Sequence, residues 1–167
     1  MTLLSKEQLK GKIEPGILKR MRSIEYRVQW KRPEDLVTWN RLDIGMRTLY
    51  LDLEHRLPDL ASKIYHEDLR AQSLGSLVDP DNASKSSFEI FKNVFSEVSE
   101  DIRINGFDSA KTLLPLGTTG SILNGGHRLS AALVHNKPVA CIESQLPPIT
   151  CDYQYFFDRA VPQNVIE

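Results

Sequence analysis

Ile122-Leu123-Asn124-Gly125-Gly126-His127-Arg128-Leu129-Ser130-Ala131-Ala132 changes character twice in one short stretch. Apolar residues run into two glycines, and an Ala-rich segment opens at once with histidine and arginine. The pattern predicts a strand, a tight turn and a helix. Glycines without a Cβ let the backbone curl so that successive N–H groups face one concavity. The first turn of the helix adds unpaired N–H donors and the positive end of the helix dipole. Such a corner suits an anion, most commonly phosphate. Arg128 offers a bidentate fork to phosphate oxygens, and His127 a second donor or a proton carrier. The plain alternative is a glycine-rich turn whose arginine pairs with a surface carboxylate. The corner is not a Walker P-loop, because no GxxxxGK[ST] occurs.

Working outward, the helix runs to Val134 and is stopped by Asn136-Lys137-Pro138, and Val139 to Ser144 is a short apolar strand. Upstream, Leu113–Leu116 and Ser121–Asn124 flank Gly117-Thr118-Thr119-Gly120, a hairpin signal. Phe88, Phe91, Phe95 and Val98, with Ile90 and Val94 beside them, are spaced by threes and fours. They predict a core helix capped by Ser86 or Ser87, and Asp79 to Ser84 before it is rich in turn formers. Ile44 to Leu57, closed by Pro58, and Leu60 to Leu74, interrupted by Gly75, are two further helices. Ile24 to Trp30 alternates as a strand, and Arg32 to Leu36 follows as a turn. The first twenty or so residues, broken at Pro15-Gly16, are short helical pieces or a mobile arm. Tyr153 to Ala160 is a short aromatic helix that docks the tail on the core or forms a partner surface. The sum is an α+β chain, a small sheet with packed helices.

A length of 167 residues, 41% hydrophobic and 26% charged, fits one globular domain spanning 1–167. The net charge of −1 argues against bulk-charge binding of duplex DNA, which needs clustered cations. No apolar run approaches the ~18–20 residues that span a bilayer. Cys141 and Cys151 form no zinc spacing, and His55 and His66 belong to no HExxH, so no metal ligands are expected. The expected compartment is the cytoplasm. His135, near a helix C-terminus, is placed where a partly charged imidazole is favoured. Trp30 and Trp39 are expected to pack, with base stacking as the alternative.

The order of strand, Gly125-Gly126-His127-Arg128, Ala-rich helix and short strand resembles the ParB/sulfiredoxin superfamily. The similarity covers about Ile104 to Ser144 most strongly, the phosphate-binding half. Pro33-Glu34-Asp35-Leu36 and Trp39-Asn40-Arg41-Leu42-Asp43 are more loosely similar to the family's first nucleotide-site box. On this resemblance, 1–23 is an N-terminal arm and about 51–100 a helical insertion. Sulfiredoxins need a cysteine just before the His-Arg pair, where this chain has Gly126. ParB proteins that clamp DNA usually carry a helix-turn-helix module after this domain, and only 23 residues follow Ser144 here. Free-serine kinases and related phosphotransferases have Asp-Gly-His-His-Arg, and Asn124-Gly125-Gly126-His127-Arg128 is similar in layout, with Asn124 in place of the aspartate.

The resemblance implies a nucleotide-dependent small-molecule kinase that takes ATP or ADP, or else CTP, with Mg2+. The phosphate would pass to a hydroxyl of an amino acid, sugar or related metabolite. The cradle would be Asn124, Gly125, Gly126, His127 and Arg128, with Arg41 and Lys85 adding charge. Asp43, His127 and Arg128 would be catalytic, Asp43 as base or Mg2+ contact, with Glu34 or Asp35 as its substitute. On the residues alone, Asp43 reads equally as a helix N-cap, Arg41 as a surface ion pair and Lys85 as solvated. The alternative function is a non-catalytic nucleotide-binding or DNA-linked switch. A ParB-like nuclease would need a richer carboxylate cluster.

Overall fold

The computed structural model describes residues 2–79, 84 and 86–167. Among them are seven α-helices and two small sheets, the α+β class expected. The central sheet has three strands in the order β3-β5-β4, with β3 Gln29–Lys31, β4 Leu114–Leu116 and β5 Val139–Glu143. β5 runs antiparallel to β3 and parallel to β4. Val139 to Ile142 are all buried, as befits a central strand covered on both faces.

The segment between the two parallel strands is the one on which the fold turns. Gly117 N–H donates to Ser121 O at 2.8 Å and Leu123 N–H to Pro115 O at 2.8 Å, closing the expected hairpin. Its return arm pairs only at Leu116 and Ile122 before the chain leaves for the glycine turn. Helix α5, Gly126–Val134, then crosses back to β5. It ends as its sequence suggests. Asn136 takes a left-handed φ of +50°, and Lys137 N–H reaches back to Ala132 O at 2.9 Å, satisfying a terminal carbonyl.

Three helices pack around this unit: α2 Leu42–Leu53, α3 Pro58–Gln72 and α4 Phe88–Asn105. Ser87 caps α4 through a 3.4 Å bond from Ile90 N–H, and Phe91 and Phe95 are buried. Pro58 begins α3 and does not close the helix before it. A proline at a helix start loses no hydrogen bond, because that N–H has no intrahelical partner. The same holds at Pro15, which opens α1 (Pro15–Arg20) with the Glu14 carboxylate bonded to the Gly16 and Ile17 amides. The N-terminal segment is accordingly packed. Leu9, Ile13, Ile17, Leu18 and Met21 are buried in the main core, and Leu113 N–H donates to Lys12 O at 3.1 Å.

The single strand expected over Ile24–Trp30 is two. β2, Glu25–Arg27, pairs with β1, Leu3–Ser5, and β3 pairs with β5. The chain switches sheets at Val28, whose N–H donates to Thr2 O at 2.9 Å. Trp30 is half exposed, edge-on to Phe107, and Trp39 is 85% exposed, so the packing expected of Trp39 is not observed.

Of the two expectations for the tail's aromatic run, docking on the core is observed. α6 spans Tyr153–Phe157, and a further helix, α7 (Gln163–Ile166), was not expected. Phe156 is fully buried in a second cluster with Met46, Ile64, Ala71, Cys151 and Val161, whereas Phe157 is 56% exposed. The run docks through Phe156, with Tyr155 partly buried beside it. Phe156→Ala should therefore cost about 3–5 kcal/mol in denaturant titration, and Phe157→Ala no more than about 0.5 kcal/mol.

Candidate functional site

Gly125 has φ +93°, a left-handed conformation that turns the chain from the hairpin into α5. A Cβ at Gly125 would collide with Leu114 Cδ2, and one at Gly126 with Arg47 Nη1. Both glycines are thus required by close neighbours. Beyond them, Asn124 accepts from Arg128 Nη2 at 3.0 Å across the first turn of α5. The Gly125–Arg128 corner forms one wall of a cavity of about 680 Å3. Lys12, Arg41 and Arg47 also line it, and Phe91, Val94, Phe95 and Val98 of α4 make its apolar side. α3 contributes Leu69 and Gln72, so helices from the 51–100 segment wall the cavity.

Arg128 differs in its electrostatics from the other two arginines. Burial drives its guanidinium down to about 10, with no carboxylate among the described residues offsetting the shift. Arg41 and Arg47 are locked in a buried chain of ion pairs. Arg41 grips Asp43 with two bonds of 2.8 and 2.6 Å and also donates to Ile122 O. Arg47 Nε meets Asp68 Oδ2 at 2.7 Å, and its Nη1 lies 3.8 Å from Asp43 Oδ2. Gln72 donates to the other Asp68 oxygen at 2.5 Å. Burial alone would lower Arg47, but the Asp68 and Asp43 carboxylates outweigh it and raise it above the ordinary arginine value. Burial likewise opposes ionisation of Asp43, yet Arg41 and Arg47 hold it below the usual carboxylate range. Asp68 goes the other way, raised by burial and by Asp43 against the pull of Arg47.

The sequence candidates therefore fall into distinct positions. Asn124, Gly125, Gly126, His127 and Arg128 come together with Arg41 at one cavity. Asp43 is fully buried in the first turn of α2 and does not cap it, because Arg41 occupies the N-cap position without a side-chain bond. The Arg41 pair is buried, not a surface contact. Asp35 sits apart in an exposed pair with Arg32 at 2.8 Å. Lys85 and most of the Asp79–Ser84 turn lie outside the described residues. Arg47, Tyr65, Asp68 and Lys12 carried no signal of their own. The i,i+4 spacing of Asp43 and Arg47 was the available clue.

The remaining candidates separate from the cavity. Cys141 and Cys151 are buried, and burial pushes both thiols up to about 12, which suppresses the nucleophilic thiolate. His135 does end α5 and bonds Ser99 Oγ at 2.9 Å, but burial first and Arg103 next lower its pKa, contrary to the charged form expected. Among the described residues no cluster of three or more His, Cys, Asp and Glu is arranged to hold a metal, and no helix is long and apolar enough to cross a membrane.

Two substitutions test this arrangement. Arg47→Met strands Asp68 without its cation and should cost about 3–5 kcal/mol in chemical denaturation. Gly126→Ala, ordinarily favourable in a helix, should instead destabilise by about 1–3 kcal/mol, because Arg47 is pinned and cannot yield. No protein-family model, curated protein or solved structure matches this chain.

Proposed function

We propose that this chain is a nucleotide-binding domain of ParB/sulfiredoxin type acting as a small-molecule kinase. The observation that carries it is Arg128, a desolvated guanidinium with no carboxylate counter-charge among the described residues, standing on the head of α5 at a cavity of about 680 Å3. An anion there would recover the solvation that Arg128 loses on folding. The volume exceeds what one phosphate fills and suits a nucleotide, with the apolar α4 wall beside the phosphate corner.

In this reading the α5 amides and Gly125-Gly126 cradle the phosphates of ATP, ADP or CTP. Arg128 neutralises charge developing on the transferred group, and His127 supplies a hydrogen bond. The donor set offers no resident metal site among the described residues, so Mg2+ would enter as the nucleotide complex. The acceptor is a hydroxyl of an amino acid, sugar or related metabolite.

Asp43 enters this reading as an anchor for Arg41, since both its oxygens are taken. While Asp79 also lines the cavity, two further carboxylates are similarly committed, Asp68 to Arg47 and Gln72 and Glu14 to the α1 amides. That specific feature favours a second reading, a nucleotide-binding switch without turnover. Acceptor-dependent nucleotide consumption distinguishes the two.

The test is a thermal-shift panel of ATP, ADP, CTP and GTP with Mg2+, repeated with Arg128→Ala. A nucleotide that binds the native state raises the melting temperature by mass action. Arg128→Ala should leave the unliganded melting temperature nearly unchanged and weaken the nucleotide about 10- to 100-fold, the equivalent of ~1.5–3 kcal/mol for charge-assisted contacts. Equal affinity in the variant, or no shift with any nucleotide, would refute the proposal.

A further inference from the structure

Tyr65 lies on α3, outside every motif of the sequence, yet its hydroxyl is 2.8 Å from His127 Nε2. The ring is held rigidly. It is fully buried, stacked on Tyr50 at 4.6 Å and packed against Phe95 at 5.3 Å. The His127 imidazole stands edge-on to Phe95 at 4.6 Å and to Tyr65 itself at 5.8 Å. Two aromatic side chains with fixed planes therefore present one phenol oxygen to one ring nitrogen.

We propose that Tyr65 is a positioning residue for His127, donating its hydroxyl proton to Nε2 and so fixing the imidazole in the Nδ1–H tautomer. A phenol has a single proton, and two acceptors lie near it: Nε2 at 2.8 Å and the Phe91 carbonyl oxygen at 3.5 Å. The shorter contact is a full hydrogen bond and the longer one is marginal. Reversing the bond, with Nε2–H donating to the phenol oxygen, would leave the phenol proton only the marginal contact inside a buried site. Burial also raises the Tyr65 pKa, so the phenol keeps its proton across the neutral range.

The consequence concerns what His127 offers the cavity it lines. With Nε2 accepting from Tyr65, the ring's proton is on Nδ1, which is a donor. A donor attracts phosphate oxygen, whereas an acceptor lone pair there would repel it. This last step rests on the proposed phosphate site. The tautomer itself does not.

Long-range 1H–15N correlation spectra of histidine-labelled protein at pH 8 read the tautomer directly. The free wild-type protein should show His127 with a protonated Nδ1 and an unprotonated Nε2. Tyr65→Phe, checked by thermal melting for a retained fold, should lose the fixed Nδ1–H pattern. It should also bind inorganic tripolyphosphate about three- to tenfold more weakly than wild type, the loss of one oriented hydrogen bond. A protonated Nε2 or an averaged signal in wild type overturns the proposal, whatever the variant does. An unchanged Nδ1–H signal in Tyr65→Phe overturns Tyr65 as its cause. A fixed tautomer together with no tripolyphosphate binding by wild type sustains the Tyr65 assignment and overturns the phosphate site instead.

Discussion

A run of four buried charges, Arg41, Asp43, Arg47 and Asp68, holds this molecule's working corner in place. Each end ties a different element. Arg41 fastens the start of α2 to the Ile122 carbonyl, at the point where the hairpin leads into the glycine turn. Asp68 fastens α3, and Arg47 between them lies directly beneath Gly126. Buried ion pairs of this kind contribute little net stability against a hydrocarbon replacement, because desolvation offsets the Coulomb gain. What they impose is geometry: removing any one member leaves an uncompensated charge inside the protein. The glycine at position 126 is a consequence, since a Cβ there would displace the guanidinium on which both aspartates depend.

The balance of that network sharpens the contrast with Arg128. Two arginines and two aspartates neutralise one another, and Lys12 and Arg128 share the cavity lining with Glu14 and Asp79, so what sets the α5 head apart is the desolvation of Arg128 beside the N-terminal amides. A desolvated cation facing an open space is costly for a structure that gains nothing from it. The same arrangement becomes favourable once an anion fills the space. The tension lies in the chemistry beyond binding. Phosphoryl transfer wants a group to orient the attacking hydroxyl, and the buried carboxylates are spent on arginines. The two proposed functions, turnover and switching, thus share one candidate site and part at the acceptor.

The local features of the fold were legible where their causes are local. Asn136 and Pro138 after an Ala-rich run ended α5 as anticipated, Ser87 capped α4, and the glycines at 117 and 120 closed a hairpin. Pro58 and Pro15 misled because a proline punctuates a helix from either side, and only the fold decides which. Val28 was opaque for a different reason. Period-two alternation continues across it, and the switch between sheets depends on partners near residues 3 and 141. The glycine corner was readable as a turn into a helix from Asn124 to Arg128, because its parts are contiguous. Tyr65, Asp68 and Arg47 were invisible because each acquires its role from a partner on another element. Asp43 was noticed but misplaced: a carboxylate at a helix start reads as a cap until its arginine is known.

The central claim is that the head of α5 and Arg128 receive an anion. The most direct measurement is a 1H–15N correlation titration of the labelled protein with Mg-ATP. The largest shifts should fall on the amides of Gly125, Gly126, His127 and Arg128 and on the Arg128 Nε–H, and should saturate together. Shifts that centre on another surface, or a spectrum untouched by millimolar nucleotide, would contradict it.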